Sequence, residues 1–257
     1  MSTLSTLTVA LMDDKMAIPD NLNHHAGSLM HGLIMETLKP ELANQWHQQN
    51  QVKPFTQSIY REKDGKVWWK VHALNEEAHQ ELLLPIRQKL ETGLYLRHKK
   101  LNLIGEGAVV TEPISYRDLV RQHMQQETTK RSRALTFKTP STFKSNGEYL
   151  LFPQVPHLYQ SLVRRWECFS DQVSMLDREA LNHLMENTHL NRYKLQSRQF
   201  HLENSRINGF TGTIHLGFSG PILMVQLGQI LMTYSQYAGI GVKTALGMGG
   251  MMVDSFE

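Results

Sequence analysis

The chain has a single cysteine, Cys168, in 257 residues. One cysteine excludes an internal disulfide and a cysteine-rich zinc site, and it suits a reducing, cytoplasmic setting. No run of about eighteen or more apolar residues occurs, so no membrane-spanning helix is expected. The opening MSTLSTLTVALMDDK has no basic region ahead of its apolar stretch, so it does not read as a signal peptide. Charge of one sign is also scarce. Twenty-seven Lys and Arg against 24 Asp and Glu leave a formal +3, too little to mark a nucleic-acid binder by itself. Low-complexity tracts and short internal repeats are missing as well. A hydrophobic fraction of 40% leaves enough material for a sizeable core.

The apolar patterning supplies the architecture. TLTVALM (6–12) reads as an opening strand. HAGSLMHGLIMETL (25–38) has the spacing of a buried helical face. Pro40 starts a second helix over PELANQWHQ, closed before Lys53-Pro54 because the residue before proline avoids helix. FTQSIYRE (55–62) and KVWWKVHAL (66–74) form a hairpin about Asp64-Gly65, and a helix capped by Asn75 follows over 75–91. Residues 101–115 make a further strand region with a break at Gly105. This order is the split β-α-β unit of a ferredoxin-like domain.

The second half repeats the pattern loosely. A strand opens at RALTFKTPSTFK, and helices follow over HLYQSLVRRWECF and LDREALNHLME. YKLQSRQFHLEN and GFTGTIHLGFSG are strands, PILMVQLGQILMTYSQYAG is a long apolar helix, and GMMVDSF is the last strand. The expected fold is therefore α+β: two tandem ferredoxin-like (RRM-like) domains, residues 1–115 and 116–257. The second carries a helical insertion at 153–190 and a glycine-rich loop near its C-terminus.

That loop, GIGVKTALGMGG (239–250), is five-twelfths glycine, with Gly239/Gly241 and Gly247/Gly249 flanking a bridge that holds Lys243. It fails as a dinucleotide fingerprint because Thr244 stands where a third glycine is needed. It fails as a P-loop because no Gly-Lys-Ser/Thr occurs. Both of those cradles also run strand, loop, helix, and here the order is helix, loop, strand, so a nucleotide-dependent enzyme is disfavoured. Two readings stay open. Either backbone N–H groups and Lys243 grip a phosphate backbone, or the glycines let the last helix pack close to the sheet.

Basic residues concentrate in 117–144, seven against two acids; a solvated face is the plain alternative to a binding surface. Of the adjacent Trp68 and Trp69, strand alternation leaves at most one available for stacking. His24, His25 and His31 invite a metal reading. Adjacent histidines diverge on a helix, however, and no carboxylate completes a ligand set, so no metal site is expected.

The segment Gly239–Gly249 reads Gly-hydrophobic-Gly, five residues including a cation, Gly-hydrophobic-Gly. In this position it resembles the C-terminal signature of the CRISPR-associated repeat-processing endoribonucleases. LTFKTPSTFKSNGEYLLFPQVPHLYQSLVRRW (135–166), GFTGTIHLGF (209–218) and PELANQWHQQNQVKPFTQSIY (40–60) are similar to further stretches of that family, so the likeness spans almost the whole chain.

The resemblance implies two ferredoxin-like domains and metal-independent cleavage of precursor CRISPR RNA within its repeats, with no cofactor. The 2′-hydroxyl attacks the adjacent phosphate, leaving a 2′,3′-cyclic phosphate and a 5′-hydroxyl. Partners implied are the repeat RNA and a CRISPR effector complex. The family's catalytic histidine falls on His47 and its lysine on Lys53. The tyrosine that some relatives carry on the first helix falls on Met35, which cannot transfer a proton. His31, one turn earlier, is the substitute, with packing in the core as its alternative role. The expected RNA contacts are Gly239, Gly241, Lys243, Gly247 and Gly249, with Lys130, Arg131, Arg133, Lys138 and Lys144. The rival function is a catalytically silent repeat-RNA-binding protein.

Overall fold

The structure is a computed structural model that describes residues 2–20, 22–48, 52–126, 129–175, 177–202 and 205–254. Its N-terminal sheet contains β1 (Thr3–Asp13), β2 (Phe55–Arg61), β3 (Val67–Ala73), β4 (Leu94–Leu96), β5 (Leu101–Val110) and β6 (Ile114–Ser115). The order is β2-β3-β1-β5-β4, with β6 paired to the start of β1, and every pairing is antiparallel. The helices are α1 (Gly27–Thr37), α2 (Pro40–Gln48), α3 (Glu76–Ala78) and α4 (Leu84–Thr92). Leu7, Val9, Leu11, Val71 and Trp69 are buried in one core with Met30, Leu33, Ile34, Leu82 and Leu90.

In the C-terminal half α5 (Tyr116–Met124) leads to β7 (Ser132–Ser141), β8 (Phe143–Ser145) and β9 (Glu148–Leu150). Then come α6 (Val155–Phe169), α7 (Arg178–Glu186), β10 (Thr188–His201), β11 (Arg206–Phe218), α8 (Ile222–Ala238) and β12 (Met251–Val253). The main sheet has the order β10-β11-β7-β12, and β8 and β9 form a separate hairpin. Stripped of β4, β6 and that hairpin, both sheets have the ferredoxin-like strand order, second-third-first-fourth. The fold is α+β as expected.

Several local expectations are corrected. The helices foreseen as an insertion, α6 and α7, occupy the place of the first crossover helix, as α1 and α2 do in the N-terminal half. The true additions are the β8–β9 hairpin, turned by Asn146-Gly147 with φ 49° and 87°, and α5. Helix α5 is capped by Ser115, which accepts from the Asp118 N–H; a Ser with an acid three residues on is a helix start. In β5 the irregularity lies at Gly107, with φ 62°, rather than Gly105. Gly105 stays in register opposite Leu11, and a Cβ there would meet Val9 at 2.8 Å. The helix after Asn75 carries a π-turn at His79–Leu83, just ahead of Pro85, whose ring and missing N–H disrupt an α-helical ladder. The final strand ends at Val253, and Ser255 and Phe256 of its expected span lie outside the described residues, as do Glu203 and Asn204 of the strand expected over 193–204.

Candidate nuclease cleft

The residues that matter sit where the first crossovers of the two halves meet the glycine loop. Trp46 anchors α2: it is buried, its ring lies 5.6 Å from that of Phe55, and its Nε1 donates to Glu77. The next residue along a helix turns about 100° away, so His47 is exposed in the last turn. Lys53 precedes β2, and its Nζ donates to the His47 carbonyl at 3.5 Å. Partial burial lowers the Lys53 pKa from the usual lysine value.

Helix α1 turns Gly27 and His31 to the same side, one turn apart. Both meet the bridge of the glycine loop. A Cβ on Gly27 would lie 2.6 Å from the Leu246 carbonyl. His31 Nδ1 donates to the Ala245 carbonyl at 3.1 Å. A carbonyl only accepts, so the proton is on Nδ1 and Nε2 carries the lone pair when the ring is neutral. Burial lowers the pKa of His31; the Ala245 carbonyl opposes that shift, and the charges of Lys53 and His47 add to it. His31, His47 and Lys53 are thus within electrostatic reach of one another. Met35 is partly buried against the N-terminal core.

Lys53, Lys243, Arg164 and Arg165 line one cleft of about 270 Å³, with Val52, Ser161, Thr244 and Ala245. A neighbouring hollow of about 250 Å³ shares Ser161, Arg164 and Val242 with it and adds Lys144, His157 and Gln160. Arg164 is exposed, whereas Arg165 is buried. Arg165 donates to the carbonyls of Gly241 at 2.6 Å and Ser161 at 3.1 Å, and burial pulls its pKa down to about 10. It ties the glycine loop to α6. The sequence reading missed Arg164, Arg165 and His157, although all three lie in the family-like stretch 135–166.

The glycines are spent inside the protein. Gly239, Gly241, Gly247 and Gly249 are all buried. Gly241 has φ 93°, and a Cβ there would fall 2.2 Å from the Thr142 carbonyl; Gly247 has φ 106° and lies against Gly27 and Gln57. Their placement fits the second of the two roles that the sequence left open, close packing of the chain on itself. What the loop offers outward is its bridge, with Lys243 half-buried at the cleft.

The basic stretch is also divided. Arg133 is 2% exposed, faces the core side of β7 and pairs with Asp254, a placement that suits a structural role. Lys138 pairs with Glu62 at 2.7 Å and sits 5.5 Å from the Tyr60 ring centre; that carboxylate occupies the charge intended for phosphate. Lys130 and Arg131 are exposed, but β7 separates them from Lys144 by on the order of 30 Å. Trp69 is buried and donates to Gln57, while Trp68 is half-buried.

His24 and His25 lie 4.1 Å apart by ring centroids, and His25 stacks on His201 at 4.0 Å. Among the described residues no group of three or more His, Cys, Asp or Glu is placed to hold a metal ion. No described helix is long and apolar enough to cross a membrane.

A model of the family described as CRISPR-associated endoribonuclease Cas6 matches residues 135–251. The protein of that name from Streptococcus thermophilus is 26% identical over 240 residues, 91% of this chain and 94% of its own length. Its counterpart from Mycobacterium tuberculosis is 25% identical over 228 residues, 88% of this chain and 71% of its own. Among solved structures, a Cas6 product complex aligns over 98% of this chain and 100% of its own, with a TM-score of 0.75 and 22% identity. Thermus thermophilus Cas6 aligns over 99% of each chain, with a TM-score of 0.71 and 18% identity. These structural likenesses show the shared fold. Over nearly its whole length the chain is thus similar to proteins described as CRISPR-associated endoribonuclease Cas6, and its C-terminal half matches the model of that family.

Proposed function

We propose that this chain binds precursor CRISPR RNA and cuts it within the repeats by metal-independent attack of a ribose 2′-hydroxyl on the adjacent phosphate. The reading rests on four cations, drawn from both halves, that line one cleft, and on two imidazoles beside it: His31 bonded to the lining Ala245 carbonyl, and His47, whose carbonyl accepts from the lining Lys53. A phosphate seated there faces Lys53, Lys243 and Arg164, and buried Arg165 adds positive potential behind them. Such fixed charge stabilises the dianionic phosphorane and repels a metal cation. Proteins of the same fold support the substrate: they include a Cas6 product complex and a Cas6 substrate mimic complex.

His31 is the general base. Its lowered pKa keeps it neutral near pH 7, and its Nε2 lone pair takes the proton from the 2′-hydroxyl as the oxygen bonds to phosphorus. His47 is the general acid and protonates the departing 5′-oxygen as the phosphorus–oxygen bond breaks. The products are a 2′,3′-cyclic phosphate and a 5′-hydroxyl. The unit over residues 1–115 then supplies the proton-transfer groups and one cation, Lys53, and the unit over 116–257 supplies the other phosphate-binding cations.

The test is cleavage of repeat RNA from a CRISPR array of the source genome, in excess EDTA, with analysis of the product ends. Cutting with cyclic-phosphate and 5′-hydroxyl ends is expected, and a substrate with 2′-deoxyribose at the cut should bind and stay intact. Turnover that chelation abolishes and Mg²⁺ restores overturns the mechanism. Binding without cutting of the natural RNA favours the silent RNA-binding protein instead.

A further inference from the structure

Among the described residues of the C-terminal half, three large aromatic rings are exposed. Tyr149 in β9 is 38% exposed, Phe152 ahead of α6 is 43% exposed, and Tyr193 in β10 is 57% exposed. Phe152 and Tyr193 meet edge to face with centroids 5.1 Å apart. Tyr193 pairs across the sheet with Ile214, which is buried in the C-terminal core, so this ring lies on the helix-bearing face of the sheet. Lys144 Nζ is 6.0 Å from the Tyr149 ring centre.

Through Lys144, Tyr149 adjoins the hollow beside the cleft. Lys144 lines the second hollow, which shares Arg164 with the first. Arg164 and Lys144 therefore lead from the phosphate-binding cleft to Tyr149, three residues along the chain from Phe152. Exposed aromatic rings beside cations suit a strand of alternating phosphates and flat bases. Unpaired RNA bases are the ones free to be splayed onto such rings. A second copy of this chain is a poorer fit, because it would bring its own cations to the same patch.

We propose that Tyr149, Phe152 and Tyr193 form a stacking platform for unpaired bases of the RNA where the strand leaves the cleft past Arg164 and Lys144. This rests on the RNA-cutting function proposed above. The platform reads the presence of a base rather than its identity, since every base presents a π-face. It fixes which stretch of the repeat is held single-stranded beside the cut.

The experiment pairs protein truncation with base removal. Repeat RNAs from a CRISPR array of the source genome, with 2′-deoxyribose at the cut to prevent turnover, carry one abasic site at each successive position. Their affinities are measured for wild type, Phe152→Ala, Tyr193→Ala and Tyr193→Phe. For wild type, one or two consecutive abasic positions beside the cut should weaken binding about tenfold, within the range of base–aromatic stacking. The alanine variants should bind intact RNA about tenfold more weakly and lose nothing further at those same positions, while Tyr193→Phe behaves as wild type. Alanine variants of unchanged affinity, or losses that add at every abasic site, overturn the platform while leaving the nuclease standing. A Tyr193→Ala change that dissociates a dimer without touching RNA affinity identifies a protein contact and equally overturns it. Wild type that neither binds nor cuts any repeat RNA overturns the function itself.

Discussion

The two halves have one topology and different chemistry at the equivalent place. In the N-terminal half the first crossover, α1 and α2, presents His31 and His47. In the C-terminal half the equivalent crossover helix, α6, presents Arg164 and Arg165. Imidazoles exchange protons near neutral pH, whereas guanidinium stays charged and holds phosphate. On the proposed mechanism a duplicated fold thus brings proton-transfer groups from one half and most of the phosphate-binding cations from the other to the same cleft. The loop of 239–250 locks them together, tied to α6 through Arg165 and to α1 through His31 and Gly27.

The largest effect should come from the imidazole side. His31→Ala and His47→Ala should each slow cleavage by about 10²-fold or more, measured in single turnover with enzyme in excess. Because the pKa of His31 is lowered, the base form persists below the usual histidine range. The acid-side fall in wild-type rate should therefore lie below pH 6.5, and a rate that falls only above that value contradicts His31 as base.

The lock between the halves comes next. Gly247→Val forces a side chain at φ 106° against Gly27, a strain of about 1–3 kcal/mol from the backbone alone. The melting temperature should drop by at least about 2–4 °C. An unshifted Tm would show that the loop moves freely between the halves.

Smaller effects sharpen the cation side. Lys243→Ala should weaken RNA binding and reduce the salt slope by about 0.7–0.9, the share of one neutralised phosphate. Arg133→Ala should leave the salt slope unchanged, because Arg133 is buried against Asp254. Equal slopes for both variants would erase the distinction between cleft and strand.

A slighter signature lies in the core. His72 is buried with its Nδ1 against the Thr6 hydroxyl, and burial, with Lys70 adding to it, lowers its pKa from 6.5 to about 3. Below pH 6.5 the unfolded chain takes up a proton there that the folded chain refuses until about pH 3. Stability should therefore fall as pH is lowered through that window, by up to about 1.4 kcal/mol per pH unit from this group. Urea titrations of wild type and His72→Gln check it, and an identical pH dependence for the two would show that His72 contributes nothing.

Most of the fold was legible because amphipathic periods of two and near four mark strands and crossover helices, and both halves announce the same order. The β8–β9 hairpin and α5 were legible too, through Asn146-Gly147 and through Ser115 with Asp118, but the basic character of the segment masked them. The burial of Arg133 had a signal: it alternates in phase with Leu135 and Phe137. The partner of Lys138 had none, since Glu62 is brought in by tertiary structure. The glycines show why sequence stops short at a site. A missing Cβ serves close approach of RNA and close approach of the chain's own backbone equally well, and only the placement of Thr142 and Gly27 decides between them.

The division of labour across the cleft is tested most directly by measuring affinity and saturating single-turnover rate side by side for His31→Ala and Arg164→Ala. His31→Ala should keep its affinity and lose at least about 10²-fold in rate. Arg164→Ala should instead bind several-fold more weakly with a shallower salt dependence, and lose far less rate once saturated. If both variants lose rate and affinity in the same proportion, the two faces are not separate and the division of labour is contradicted.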